Sequence, residues 1–140
     1  MKKFFVLTLV FVAISLLSKA QCDGITKWTC TKMKILDNSG NVKNEKDEHV
    51  IIEAGNNKII VSPADGDHKM EGIVTEYTCK WPEEGKNGKT IIKSQLTDKE
   101  KVRNATITIE AVNGKITITL EAPEETTKIL LEVEDYETVK

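Results

Sequence analysis

The chain has 140 residues, with 20 basic and 22 acidic side chains and a formal net charge of −2 at pH 7. Only one basic residue is an arginine, and the two histidines and three cysteines fit no hydrolase, zinc or phosphate-loop motif. We therefore expect no nucleic-acid partner, no catalytic residues, no metal and no cofactor.

The first 20 residues have the features of an export signal. Lys2-Lys3 precedes an apolar run over 4–17, and Ser18-Lys19-Ala20 places small residues before a cleavage site. Cleavage there leaves Gln21 first, with 17 basic and 22 acidic residues and a formal charge of −5. We predict a signal peptide over 1–20, a secreted or periplasmic location and a single domain over 21–140.

Two other interpretations of this segment fit less well. A membrane-spanning helix needs about 20 apolar residues, and the run over 4–17 is shorter. Lipidation at Cys22 favours an apolar residue three positions earlier and a small one directly before it, whereas Lys19 and Gln21 stand there. We therefore expect no stable membrane anchor.

Isoleucine and valine dominate the apolar residues of the domain, and turn-forming clusters divide it at fairly even intervals, which is typical of strands. The expected strands A to H cover 25–36, 49–54, 58–62, 70–81, 89–96, 105–112, 116–121 and 128–136. A capping-box pattern over Thr97–Glu100 predicts one helical turn between strands E and F. The fold class is all-β: an antiparallel meander of about eight strands closing into a small barrel, with a two-layer sandwich as the alternative.

The clearest element is the hairpin of strands F and G. Asn113-Gly114 favours a type I′ turn, because both residues tolerate positive φ. This turn sets Ile109 opposite Ile118 and Ile107 opposite Leu120 on the inner face. It also places Thr108 opposite Thr119 on the outer, exposed face.

This strand plan resembles that of lipocalins and fatty-acid-binding proteins, the calycin barrels. Gly24 and Trp28 stand four apart where lipocalins have Gly-x-Trp, and no arginine follows strand G. Residues 42–48 lack the apolar stripe of the helices that fatty-acid-binding proteins insert between strands A and B. The resemblance implies a lipocalin-like barrel that opens at the end with the A–B, C–D, E–F and G–H loops.

Trp28-Thr29-Cys30 and Cys79-Lys80-Trp81 are mirror images, and a meander brings both segments to the same end of the domain. Since exported proteins reach an oxidising compartment, a disulfide is allowed there. We predict a Cys30–Cys79 disulfide with Trp28 and Trp81 packed at the closed end. The alternative is a Cys22–Cys79 disulfide.

We expect a small binding protein that holds a small apolar ligand in its barrel, rather than an enzyme. The alternative is a compact exported β module with a filled core that binds a protein partner through its loops. A pocket of about 300 Å³ or more would favour the carrier, and a solid interior would favour the interaction module. The Asp65-Gly66-Asp67-His68 segment has potential metal ligands, but it also has ordinary turn chemistry, which we favour.

The signal peptide gives a first testable prediction. We expect the exported protein to begin at Gln21, because Ser18 and Ala20 supply the small residues that signal peptidase requires. N-terminal mass analysis of the exported fraction measures this directly. A chain that begins at Cys22 with added acyl mass would show lipidation instead.

Overall fold

The computed structural model describes residues 22–63 and 68–139. They form one closed antiparallel barrel in which each strand pairs with the next and β8 pairs with β1. The strands are β1 (Ile25–Leu36), β2 (Val42–Ala54), β3 (Lys58–Pro63), β4 (Met70–Glu83), β5 (Asn87–Asp98), β6 (Lys101–Val112), β7 (Lys115–Glu121) and β8 (Lys128–Val139). The predicted all-β meander and its closure into a barrel are confirmed, so the sandwich is wrong.

Some sequence-based predictions concern residues beyond these ranges. The signal peptide, its cleavage site and the turn residues 64–67 lie outside the described residues. Across the described ranges, no helix is long and apolar enough to cross a membrane.

The hairpin of β6 and β7 has the predicted register. Ile109 lies opposite Ile118, and Thr108 lies opposite Thr119. Asn113 and Gly114 have φ values of 51° and 85°, as a type I′ turn requires. Both threonines are half-buried rather than exposed.

Most strands are longer than predicted, and the largest differences are at the start of β2 and between β5 and β6. β2 begins at Val42 instead of residue 49, because its polar first half pairs with the second half of β1. Its side chains there are largely exposed, so this half needs no apolar alternation. The helical turn predicted over Thr97–Glu100 is wrong: β5 continues to Asp98, and Lys99, with φ of 57°, begins a two-residue turn into β6.

Aliphatic side chains fill the barrel interior. Seven large inward-facing aliphatic residues are completely buried, namely Ile52, Ile59, Ile92, Ile107, Ile109, Ile118 and Leu131. Six of them are isoleucines, whose branched side chains have few rotamers and pack well on a pleated surface. The middle of the barrel is therefore a solid core.

An ion pair crosses the seam where the barrel closes. The Nζ atom of Lys34 in β1 lies 2.9 Å from Oε1 of Glu132 in β8, and both side chains are about three-quarters covered. The hydrogen bond raises the pKa of Lys34 and lowers the pKa of Glu132. This pair favours the β1–β8 contact over the pH range in which both groups are charged.

The hairpin register gives a prediction about stability. Ile109→Ala is expected to lower the free energy of unfolding by about 2–5 kcal/mol, because it leaves a cavity in a packed core. Thr108→Ala, on the opposite face of the same strand, is the matched control and is expected to cost much less. Urea denaturation of both variants measures the difference, and equal losses would contradict the register.

Candidate binding site at the barrel mouth

The closed end of the barrel contains both tryptophans. Trp28 lies near the start of β1 and Trp81 near the end of β4, and both are buried in the same core cluster. The Trp81 Nε1 atom donates a 2.7 Å hydrogen bond to Oγ1 of Thr90. The Trp81 ring packs directly on Gly88, where a side chain would collide with it. These contacts leave no room for a ligand around Trp81.

The disulfide at this end joins Cys22 to Cys79, with a Cα–Cα distance of 5.8 Å. The predicted Cys30–Cys79 disulfide is therefore wrong. Cys30 lies in β1, which β2 and β3 separate from β4 in the sheet order. The segment before β1 instead packs against Gly55 in the β2–β3 turn and reaches Cys79 in β4.

Cys30 is a free thiol in the core. Its side chain is fully buried, and burial raises the pKa of this thiol from 9.0 to about 12. A thiol in this environment stays protonated and is a poor nucleophile near neutral pH. Cys30 therefore acts as a small apolar core residue.

Two turns complete the closed end. The backbone nitrogen of Gly114 donates a 3.0 Å hydrogen bond to the carbonyl oxygen of Lys86, which joins the β6–β7 turn to the β4–β5 turn. Gly85 in the latter turn packs against the Tyr136 ring of β8. The β4–β5 turn thus extends across this end of the barrel toward β8.

The opposite end contains an open apolar cup of about 280 Å³. We call it the mouth cup. Its apolar residues come from five strands and the β7–β8 loop: Met70, Leu96, Ala105, Leu120, Ala122 and Ile129. The cup lies where the inward-facing series of these five strands continues beyond the filled core, so its floor is the top of that core.

Polar side chains form the rim of the mouth cup. Arg103 in β6 pairs with Glu125 in the β7–β8 loop, with an Nη1–Oε1 distance of 3.1 Å. Asp98 at the end of β5 is on the same face as Leu96 and has no ion-pair partner among the described residues. An apolar floor with a charged rim suits a ligand with an apolar body and a solvated polar group.

Sequence reasoning identified the end of the barrel but not the cup residues. The loops between A and B, C and D, E and F, and G and H were expected at the open end, and the cup lies there. By composition, Arg103 stands out only as the single arginine of the chain. Because side chains alternate between the two faces of a strand, the sequence could have placed Arg103 on the same inward face as Ala105 and Ile107.

Neither histidine lines the cup. His49 is exposed on β2, and His68 is exposed just before β4. Within residues 22–63 and 68–139, no group of three or more histidine, cysteine or acidic side chains is arranged to hold a metal ion.

Comparisons with protein-family models, with curated proteins and with solved structures found no match. The barrel itself, with eight antiparallel strands in meander order, is consistent with a calycin-like architecture. The mouth cup and its rim are therefore the basis for a functional proposal.

The buried thiol gives a prediction about pH dependence. Because the folded state holds the Cys30 proton up to about pH 12 and the unfolded state releases it near pH 9, this contribution to stability is present below pH 9. It declines as the pH rises further. Between pH 8 and 10 the wild-type protein is expected to lose about 1 kcal/mol more stability than Cys30→Ala.

Urea denaturation at pH 8, 9 and 10 measures this difference. Lysine and tyrosine titration is common to both proteins and cancels in the comparison. Parallel curves for the two proteins would show that Cys30 ionises equally in both states.

Proposed function

We propose that this protein is an exported binding protein that holds one small apolar molecule in the mouth cup. The single observation that carries the proposal is the cup itself: an apolar cavity of about 280 Å³ that stands open above a solid core. A relation to the ligand-carrying lipocalins and fatty-acid-binding proteins is part of this proposal. It is supported by the eight-stranded closed barrel.

The cup volume limits the ligand. It is slightly below the 300 Å³ at which ordinary ligand pockets begin. An aliphatic cavity of about 150 Å³ is enough to bind benzene. We therefore propose a ligand with an apolar body of one or two small rings, or a short alkyl chain, rather than a long-chain fatty acid.

The rim supports reversible entry of such a molecule. Arg103 and Glu125 are each about half exposed, and ion pairs of this kind contribute little to stability. The pair can therefore separate at small cost when a ligand enters or leaves. The polar group of the ligand would remain at the rim, where it keeps its contact with water.

Export is supported by the disulfide and by the N-terminal sequence. The Cys22–Cys79 disulfide is compatible with an oxidising compartment such as the periplasm or the extracellular space. The predicted signal peptide over 1–20 leads to the same compartment. We propose that the ligand is taken up there.

A second candidate function is binding of a protein partner. The solid core fits this candidate, and a groove of about 650 Å³ on the outer face of β3 to β6 also favours it. Ile73 and Val102 in this groove are 71% and 62% exposed. Exposed aliphatic side chains of this size favour an interaction surface.

The cup proposal predicts a specific effect of filling the cavity. Ala105→Phe places an aromatic ring in the cup, so binding of 1-naphthol as a probe is expected to fall at least tenfold. Thr106→Phe introduces the same ring on the opposite face of β6 and is the matched control. Isothermal titration of wild type and both variants measures the affinities.

Native mass spectrometry of protein purified from its own host provides the complementary measurement. Wild type is expected to carry an added small mass that Ala105→Phe lacks. Equal naphthol affinity in all three proteins, with no added mass on wild type, would contradict the carrier and favour the protein-binding candidate.

A further inference from the structure

Strand β4 is much longer than its neighbour β3. The two strands pair only over Lys58–Val61 and Met70–Ile73. One further hydrogen bond, 3.1 Å from the Val74 nitrogen to the Asn57 carbonyl oxygen, ends this contact at the β2–β3 turn. From Thr75 to Lys80, β4 pairs with β5 on one side and with no described strand on the other. We call Thr75–Lys80 the β4 edge.

An unpaired strand edge presents free backbone donors and acceptors that can accept another strand. Proteins usually protect such edges with charges. Over Val42–His49, β2 has no described strand on its β3 side, and five of these eight residues are charged, in keeping with this rule. The β4 edge has only two charged residues, Glu76 and Lys80, and they have opposite signs.

The positions of these two charges identify the partner. Glu76 and Lys80 lie two residues on either side of Thr78, and all three side chains are exposed on the same face. When two copies of the edge pair antiparallel with Thr78 opposite Thr78, Glu76 of each copy lies opposite Lys80 of the other. A twofold axis makes both pairs attractive at once.

We propose that the β4 edge is a self-complementary docking site for a second copy of this chain. The partner is thus another molecule of the same protein, joined edge to edge with Thr78 on the twofold axis. The interface is independent of the proposed ligand-binding function. The mouth cup is lined by Met70 at the beginning of β4, so both cups stay open in the pair.

The two charged side chains of the edge are only weakly engaged within the barrel. Glu76 pairs with Lys93 at 3.1 Å, but both side chains are more than half exposed, so this pair contributes little. Lys80 has no ion-pair partner in the described part of the chain. On the inner face, the Cys22–Cys79 disulfide joins the strand to the segment before β1, with a Cα–Cα distance of 5.8 Å.

Sedimentation velocity over a range of concentrations tests the proposal. Wild type is expected to show a monomer–dimer equilibrium. Glu76→Lys and Lys80→Glu each place like charges opposite each other at both symmetric positions, so each is expected to weaken dimerisation about tenfold. Lys93→Gln, which removes only the internal partner of Glu76, is the control and is expected to leave dimerisation intact.

Mixing the two single variants is the decisive measurement. A Glu76→Lys chain is complementary to a Lys80→Glu chain at both positions, so the mixture is expected to form heterodimers with wild-type affinity. The double variant E76K/K80E is expected to recover homodimers. A wild-type protein that stays monomeric, or variants that neither recover on mixing nor in the double variant, would overturn the proposal.

A cysteine on the proposed axis tests the register. Thr78→Cys is expected to form an intermolecular disulfide under mild oxidation, because the two side chains face each other. Thr119→Cys on the outer face of β7 is the control and is expected to remain uncrosslinked. Equal crosslinking of both variants would show random collision rather than this register.

Discussion

Pairing of β1 with β8 is the contact on which the rest of the structure depends. It runs from Ile25 opposite Val139 to Leu36 opposite Lys128, and it turns an eight-stranded sheet into a closed surface. Closure assigns every strand residue to an inner or an outer face, and all inner side chains must share one narrow space. Isoleucine fills that space in the middle, which forces any ligand toward an end of the barrel.

The two ends differ because only one of them is covered. At the closed end the β4–β5 turn extends across to Tyr136, Trp81 packs on Gly88, and a disulfide anchors the segment before β1. The mouth has smaller or flexible inner residues such as Ala105 and Met70, with charged side chains around them. The short β3 explains a second asymmetry, since it leaves the longer β4 with an unpaired edge.

The sequence was sufficient where local chemistry determines structure. Asn113-Gly114 fixed a turn and therefore a register, and alternating isoleucines then fixed the inner face. Prediction from the sequence failed for contacts between residues that are far apart in the chain. The mirrored Trp-x-Cys and Cys-x-Trp segments suggested a Cys30–Cys79 disulfide. In the structure Cys30 faces the core, and Cys22 in the segment before β1 forms the disulfide with Cys79. The cup residues could not be predicted from the sequence either. Whether an inward-facing residue is packed or lines a cavity depends on the side chains that the other strands place beside it.

The cup and the β4 edge both involve β4 but at different positions along it. Met70 contributes to the cup, whereas Glu76 and Lys80 lie beyond the point where β3 ends and the β4–β5 register shifts between Val74 and Glu76. A register shift of this kind bends the strand and increases its local twist, so the two halves of β4 differ in direction. Because the proposed pairing is antiparallel, the Met70 ends of the two β4 strands, and with them the two mouths, would lie at opposite ends of the pair. In such a pair, each mouth cup would remain accessible to the ligand of the proposed function.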